Sequence, residues 1–410
     1  MLRNRFFYGW VIVIAGHLLI TLDGMVLYSF GIFLPYLNEA FGLSTAVGSS
    51  FFSLRCVCMA FSFVFAGRLI DTHDARLLTF FGGLIGAFGF LLSAYAETTW
   101  ELYLTYSVMV GIGDGFLYIL PVTIISRWFI KKRALAIGIA TAGVPVSGLV
   151  VNPLTTWLIE SFGYERALVY LSVIFTAILC SAFLVKSRPE DMNLRPYGEN
   201  SEDAAKDTEA PDWGAKEAFS HSSFWLMYAA FFFGFNTFLI IIINLFNFSI
   251  GSGITPLVAA GAPAFIGVGS IIGRIFFSGV VTNMLKDVRI LFICYFFQAA
   301  SIILILSVVE VWSLYLFGFL FGFFYSGWVP MFPTILGRFY GLKSLGSIFG
   351  VFGTGFSLAA ISGPLISGFL FDMTQSYQNS LIVAMAASFI TALLTLLIRT
   401  PSKKTEKFGT

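Results

Sequence analysis

The chain is organised as long apolar runs separated by short polar segments. A helix that crosses a bilayer needs roughly 20 apolar residues. Twelve runs meet that length: residues 8–36, 46–66, 76–96, 102–126, 134–159, 166–185, 222–248, 257–281, 289–309, 312–336, 344–370 and 377–398. We number them span 1 to span 12. Several exceed the minimum, so tilt or kinks are expected, and Pro35, Pro121, Pro145, Pro153, Pro263, Pro330, Pro333 and Pro364 offer places for them. The first run starts near Tyr8 and has no small-residue cleavage site, so it reads as a span rather than a removed signal peptide. The pattern predicts an all-α polytopic membrane protein with 12 transmembrane helices.

Composition agrees with lipid as the solvent. The 410 residues are 58% hydrophobic and 11% charged, with 48 Phe, and the mean hydropathy is +0.87. A soluble domain carries about 25% charged residues. The net charge of +2 says little about partners, because placement matters more than the sum. With both termini in the cytoplasm, every Lys and Arg except Arg55, Arg166 and Arg274 falls on the cytoplasmic side, from Arg3 and Arg5 to Lys407. That asymmetry fits the positive-inside rule and an even number of spans. A bacterial inner membrane is the expected location. Four cysteines, Cys56, Cys58, Cys180 and Cys294, lie in apolar runs without metal spacing and read as small buried hydrophobes. No metal or cofactor is expected.

Residues 186–220 break the pattern. They hold nine acids, five bases, Pro189, Pro196 and Pro211, too little apolar material for a core of their own. The expected organisation is a six-helix unit over 1–187, a cytoplasmic linker over 188–220, and a second six-helix unit with a short tail over 221–410. The halves echo each other. An offset of 211 carries Arg127 onto Arg338, Lys132 onto Lys343 and Pro153 onto Pro364; an offset of 212 carries Gly67 onto Gly279. A repeat of this kind implies two pseudo-symmetric bundles around a central path, the arrangement that supports alternating access.

"GRLIDTHDAR" (Gly67 to Arg76) resembles the loop between spans 2 and 3 of the major facilitator superfamily, with Gly67, Asp71 and Arg76 at its matching positions. The second copy, "GVVTNMLKDVR", has Asn283 where an Asp would match. "GIATAGVPVSGLVVNP" in span 5 and "FYGWVIV" at the opening of span 1 add to the likeness. Within the superfamily the chain is most similar to the monocarboxylate porters and oxalate/formate exchangers. The resemblance implies that Arg274 binds a substrate carboxylate and that the protein is a carrier, not an enzyme. It has departures. The animal porters have an Asp one turn before that arginine, where this chain has Ser270. Their span 1 lysine aligns with Tyr28, and the exchangers' span 11 lysine aligns with Phe356.

The intramembrane charges carry the candidate chemistry. Arg274 lies in span 8, seven residues from its end, or roughly 10 Å from the cytoplasmic edge. An arginine at a helix centre costs about 2.5–3.5 kcal/mol on insertion scales, and snorkelling reduces the cost. No acid lies within four residues on its own helix. The guanidinium keeps its proton, so it needs a carboxylate from another helix, water, or a bound anion. Asp23 in span 1, Asp114 in span 4 and Arg55 in span 2 are the other buried charges. Arg55 is expected to pair with Asp114 or Asp23, leaving one acid free to carry a proton; His17 is a second candidate for that role. Tyr28, Tyr118, Asn236, Asn244, Tyr325 and Ser357 supply candidate polar tips, and Leu27 and Phe356 candidate apolar walls. "RWFIKKR" (Arg127 to Arg133) is a juxtamembrane basic run suited to lipid headgroups, with no nucleic-acid role needed. Glycines such as those in "GVFGTG" lack the following Lys-Ser/Thr of a phosphate loop, which argues against direct ATP drive.

The reading is secondary active transport of small monocarboxylates of the lactate or pyruvate type. A proton would move with the substrate by alternating access, and the protein would work as a monomer. Oxalate/formate-type exchange and a non-transporting membrane ligand sensor are the alternatives.

Overall fold

The computed structural model describes residues 7–199, 213–307 and 310–401. Arg3, Arg5, Lys206, Lys403, Lys404, Lys407 and the middle of the linker lie outside the described residues. Among the described residues, twelve helices are long and apolar enough to cross a membrane: Gly9–Ala40, Val47–Leu69, Ala75–Ser93, Thr99–Trp128, Arg133–Phe162, Tyr164–Leu184, Ser222–Gly251, Gly261–Asn283, Asp287–Ser307, Val311–Tyr340, Leu345–Thr374 and Tyr377–Thr395. They are spans 1 to 12 as read from the apolar runs. They form two six-helix bundles, the first from spans 1–6 and the second from spans 7–12. The outer surface is apolar, with Phe61, Phe65, Phe81, Leu365 and Phe369 all exposed. Such a surface is stable against lipid, where each helix satisfies its own backbone.

Prolines shape the spans nearest the centre. Span 5 is two helices, Arg133–Thr141 and Gly143–Phe162, that break at Ala142, three residues before Pro145. Span 10 is Val311–Trp328 followed by Met331–Tyr340, interrupted just before and at Pro330. Spans 1, 4, 8 and 11 carry Pro35, Pro121, Pro263 and Pro364 without a break.

Glycines set the closest approaches. A Cβ on Gly269 or Gly273 of span 8 would collide with the backbone carbonyls of Phe319 and Phe323 in span 10, and one on Gly322 would collide with Ile266. Bare backbone on both partners lets these helices touch along their length. The contact also sets the rotation of span 8. Each step along a helix turns about 100°, so fixing residues 269 and 273 against span 10 turns 270 and 274 toward the middle of the protein.

The bundles meet at the end where the linker enters. A Cβ on Gly67 of span 2 would collide with the Gly346 carbonyl of span 11, and one on Gly350 with the Phe63 carbonyl. Gly138 of span 5 packs in the same way on Ser278 of span 8. Beside this contact, Asp71 Oδ1 accepts from Arg127 Nη2 at 2.8 Å, and its Oδ2 accepts from the backbone N and Oγ of Ser347 at 3.0 and 2.7 Å. Asp71 thus joins span 4 of its own bundle to the start of span 11 in the other. The second bundle repeats the ion pair with different spacing. Arg338, the counterpart of Arg127, donates to Asp287 Oδ2 at 2.5 Å, so an acid four residues beyond Asn283 takes the role of Asp71.

The linker is anchored at both of its described ends. Tyr197 donates its N–H to the Trp128 carbonyl, and its own carbonyl accepts from Ile130 and Lys131. Trp213 donates to the Tyr340 carbonyl and sets its ring against Tyr340 and His221. Short helices at Pro189–Met192 and Ala215–Phe219 flank these anchors. Cysteine placement departs from the sequence expectation. Cys56 and Cys294 are buried, Cys58 is half-buried and Cys180 is exposed, because span 6 turns that face outward, toward lipid.

Candidate functional site

A cavity of about 370 Å³ lies between the bundles, lined by residues of spans 1, 2, 4, 5, 7, 8, 10 and 11. Its position follows from helical periodicity. Span 8 contributes Pro263, Ala264, Ile266, Gly267, Ser270 and Arg274; all but Ala264 fall at i, i+3, i+4, i+7 and i+11 on one face. This is the face that the contact with span 10 leaves turned inward. Span 1 contributes Asp23, Leu27 and Tyr28; span 5 contributes Pro145, Gly148, Leu149 and Asn152. Gly148 lets the Tyr28 ring lie directly on the span 5 backbone, where any side chain would touch it.

Arg274 is 2% exposed, so its guanidinium turns inward rather than snorkelling to the membrane surface. Nη1 donates to the backbone carbonyl of Thr141 in the opposite bundle. That carbonyl is available because Pro145, four residues on, has no N–H to return to it. Nε is buried without a hydrogen-bond partner among the described residues. Among the described residues no carboxylate lies within ion-pair distance of Arg274. Tyr28, Tyr118 and Tyr325 line the same cavity. A permanent cation without an acid partner among the described residues, in a mostly apolar chamber, is suited to one carboxylate, which guanidinium can meet with two parallel hydrogen bonds.

The other charges divide as their partners dictate. Arg55 Nε donates to Asp114 Oδ2 at 2.6 Å, both residues being 1% exposed. Arg55 also stands over the Phe52 ring at 5.4 Å. The pair is not fully satisfied, since Arg55 Nη1 and Asp114 Oδ1 have no partner among the described residues. Asp23 is the remaining acid. It lines the cavity and has no ion-pair partner among the described residues.

Among the polar candidates, Tyr28, Tyr118 and Tyr325 reach the cavity, as do Leu27 and Phe356 of the apolar ones. Three others lie apart from its lining. Asn236 donates to Ser362 Oγ at 2.7 Å, and Asn244 returns its amide to the Ile240 carbonyl of its own helix at 2.6 Å. Ser357 is buried one residue beyond Phe356, turned away by the same 100° step. His17 Nδ1 donates to the Ile139 carbonyl at 2.8 Å, joining spans 1 and 5 away from the cavity. The structure adds residues that sequence reading passed over. Asn152 places a partnerless Oδ1 at the cavity wall, and Phe235 and Phe238 build much of the span 7 face. Asn152 sits one helical turn beyond Gly148, which was the available signal.

The family model described as Major Facilitator Superfamily matches residues 16–309 and 275–409. The chain is 24% identical to monocarboxylate transporter 12 of Mus musculus, covering 96% of this chain and 85% of that protein. It is 22% identical to monocarboxylate transporter 14 of Homo sapiens, covering 96% and 90%. Among solved structures it is similar to the transporter FucP in the outward conformation, with TM-score 0.70, 15% identity, and 96% and 100% of the two chains covered. The proton:xylose symporter XylE gives TM-score 0.73 at 13% identity, covering 96% of each.

Proposed function

The chain belongs to the major facilitator superfamily, and from that premise we propose that this transporter carries small monocarboxylates together with a proton by alternating access. One observation carries the reading: Arg274 is buried in the cavity between the bundles with no acid partner among the described residues. The relatives named as monocarboxylate transporters support the same substrate class.

The substrate carboxylate meets Arg274, while Nη1 holds the Thr141 carbonyl. Neutralising the guanidinium lowers the cost of moving it as the bundles rock. Asp23 takes the accompanying proton, since Arg55 already engages Asp114. A dianion is a poorer fit, because its second carboxylate would share the cavity with Asp23 and find no second cation among the lining residues. The linker end, rich in Lys and Arg, faces the cytoplasm. The contact of Gly67 with Gly346 and the Asp71–Ser347 bonds then close the cytoplasmic side in this conformation. Opening that side requires both to part.

Uptake of labelled pyruvate and lactate into proteoliposomes, with and without an imposed pH gradient, tests the proposal. An inward proton gradient is expected to accelerate uptake. Arg274→Lys, which keeps the charge but loses the planar fork, is expected to abolish uptake while inserting normally. Uptake unchanged in that variant would remove Arg274 from the site.

A further inference from the structure

Resting on the carboxylate reading of Arg274, we infer that the preferred substrate is a monocarboxylate bearing an aromatic ring one or two carbons from the acid group. Phenylpyruvate and phenylacetate are the simplest examples.

Three observations lead there. First, the cavity of about 370 Å³ falls in the range of roughly 300–1,000 Å³ that encloses drug-sized ligands. A three-carbon acid bound at Arg274 would leave most of it unfilled. Second, the wall beyond the cation is aromatic. Phe238 stacks on Tyr325 with ring centroids 4.1 Å apart and planes 10° apart. Phe235 sets its edge against Phe356 at 4.8 Å and against Tyr325 at 6.0 Å. All four rings line the cavity. They come from spans 7, 10 and 11 and present both faces and edges, the two geometries in which a further ring gains beyond plain burial. Third, the opposite wall, from the first bundle, mixes alkyl groups such as Leu27, Met59 and Leu149 with the rings of Tyr28, Phe63 and Tyr118. A flat apolar body therefore meets rings from both bundles, with alkyl groups between them and its acid end at Arg274.

The charge inventory narrows the class further. Arg274 and Asp23 are the charged side chains in the lining. One carboxylate matches one cation, and the carboxyl of Asp23 remains for the proton. The ring adds binding through apolar surface withdrawn from water, a gain that grows with area, and it needs no further polar partner.

Competition in proteoliposomes separates this inference from the reading beneath it. The probes are labelled pyruvate, phenylpyruvate, phenylacetate and phenylalanine, each with wild-type protein and with Arg274→Lys. Saturable, Arg274-dependent uptake of phenylpyruvate with a KM at least tenfold below that of pyruvate is expected. Uptake of pyruvate that phenylpyruvate and phenylacetate neither match nor inhibit would overturn the inference while leaving monocarboxylate transport standing. Preferred uptake of phenylalanine would also overturn it, by assigning Asp23 to an ammonium group. Failure of every acid, or uptake indifferent to Arg274→Lys, would sink the underlying reading. A second variant tests the wall itself. Leu149→Trp fills space on the first-bundle side and is expected to lower the phenylpyruvate-to-pyruvate ratio of kcat/KM about tenfold; an unchanged ratio would count against the inferred ring position.

Discussion

Arg274 in span 8 donates to the backbone carbonyl of Thr141 in span 5, across the boundary between the two bundles. The acceptor exists because Pro145 cannot return the hydrogen bond that a helix would supply at that position. A helix break in one bundle thus provides the resting partner for the buried cation of the other. The same guanidinium is the proposed anchor for substrate, so the carbonyl and a carboxylate act on one group from two sides.

Pro145→Ala is therefore expected to loosen the linker-side closure. The new N–H can satisfy Thr141 within span 5, which weakens its hold on Arg274. A hydrogen bond to a charged group contributes about 1.5–3 kcal/mol, and each 1.4 kcal/mol is about a factor of ten in a population. Ser278 is buried against Gly138 in the closed contact. In a background with the native cysteines replaced, maleimide labelling at Ser278→Cys should rise tenfold or more when Pro145→Ala is added. Equal labelling would show that the Thr141 contact does not hold the closure.

The Arg55–Asp114 pair predicts a stability effect. Removing one member leaves a buried charge without compensation and costs about 3–5 kcal/mol. Asp114→Asn should lower the thermal unfolding midpoint in detergent. Since Arg55 Nη1 and Asp114 Oδ1 already lack partners among the described residues, the double change Arg55→Met with Asp114→Leu should recover most of the loss. A double variant as unstable as the single one would argue against that account.

Asp23 should behave differently, because no ion pair is lost with it. Asp23→Asn is expected to unfold within a few degrees of the wild type. Stimulation of uptake by an acidic exterior should disappear, while exchange of labelled for unlabelled substrate across the bilayer persists. A variant that still responds to the pH gradient would move the proton to another group.

Gly67 offers a steric test of the moving interface. A side chain there meets the Gly346 carbonyl of span 11, and a backbone atom cannot rotate away as a flexible side-chain tip can. Gly67→Val should keep the bundles from closing at the linker end and reduce transport at least tenfold. Folding should be nearly intact, since each bundle's own core is untouched. Cross-linking of cysteine pairs across spans 2 and 11 would report the lost closure directly.

Much of this architecture was legible in the residues. Apolar run length set the twelve spans, because a bilayer leaves backbone groups no partner outside their own helix. The repeat placing Arg127 over Arg338 and Pro153 over Pro364 exposed the two bundles. Arg274 stood out because a permanent charge in an apolar run has few physical outcomes. The pairing of Arg55 was legible only as a choice between two acids, and the structure pairs it with Asp114.

The rest depended on rotation about helix axes, which span length leaves open. Asn236 and Asn244 sit on the same span as Phe235 and Phe238, yet the two phenylalanines line the cavity and the two asparagines bond elsewhere. No run in span 7 distinguishes these faces, since nearly every position is apolar and the hydrophobic pattern carries no phase. Sequence alone thus determined how many helices cross the membrane, roughly where they end, and that Asp23, Arg55, Asp114 and Arg274 lie within them; it did not show that Arg127, Arg133 and Asp287 are buried at the linker end. Tertiary packing decided which side each helix shows to the centre, because close contacts such as Gly269 and Gly273 against span 10 fix the angle from which Arg274 faces the cavity.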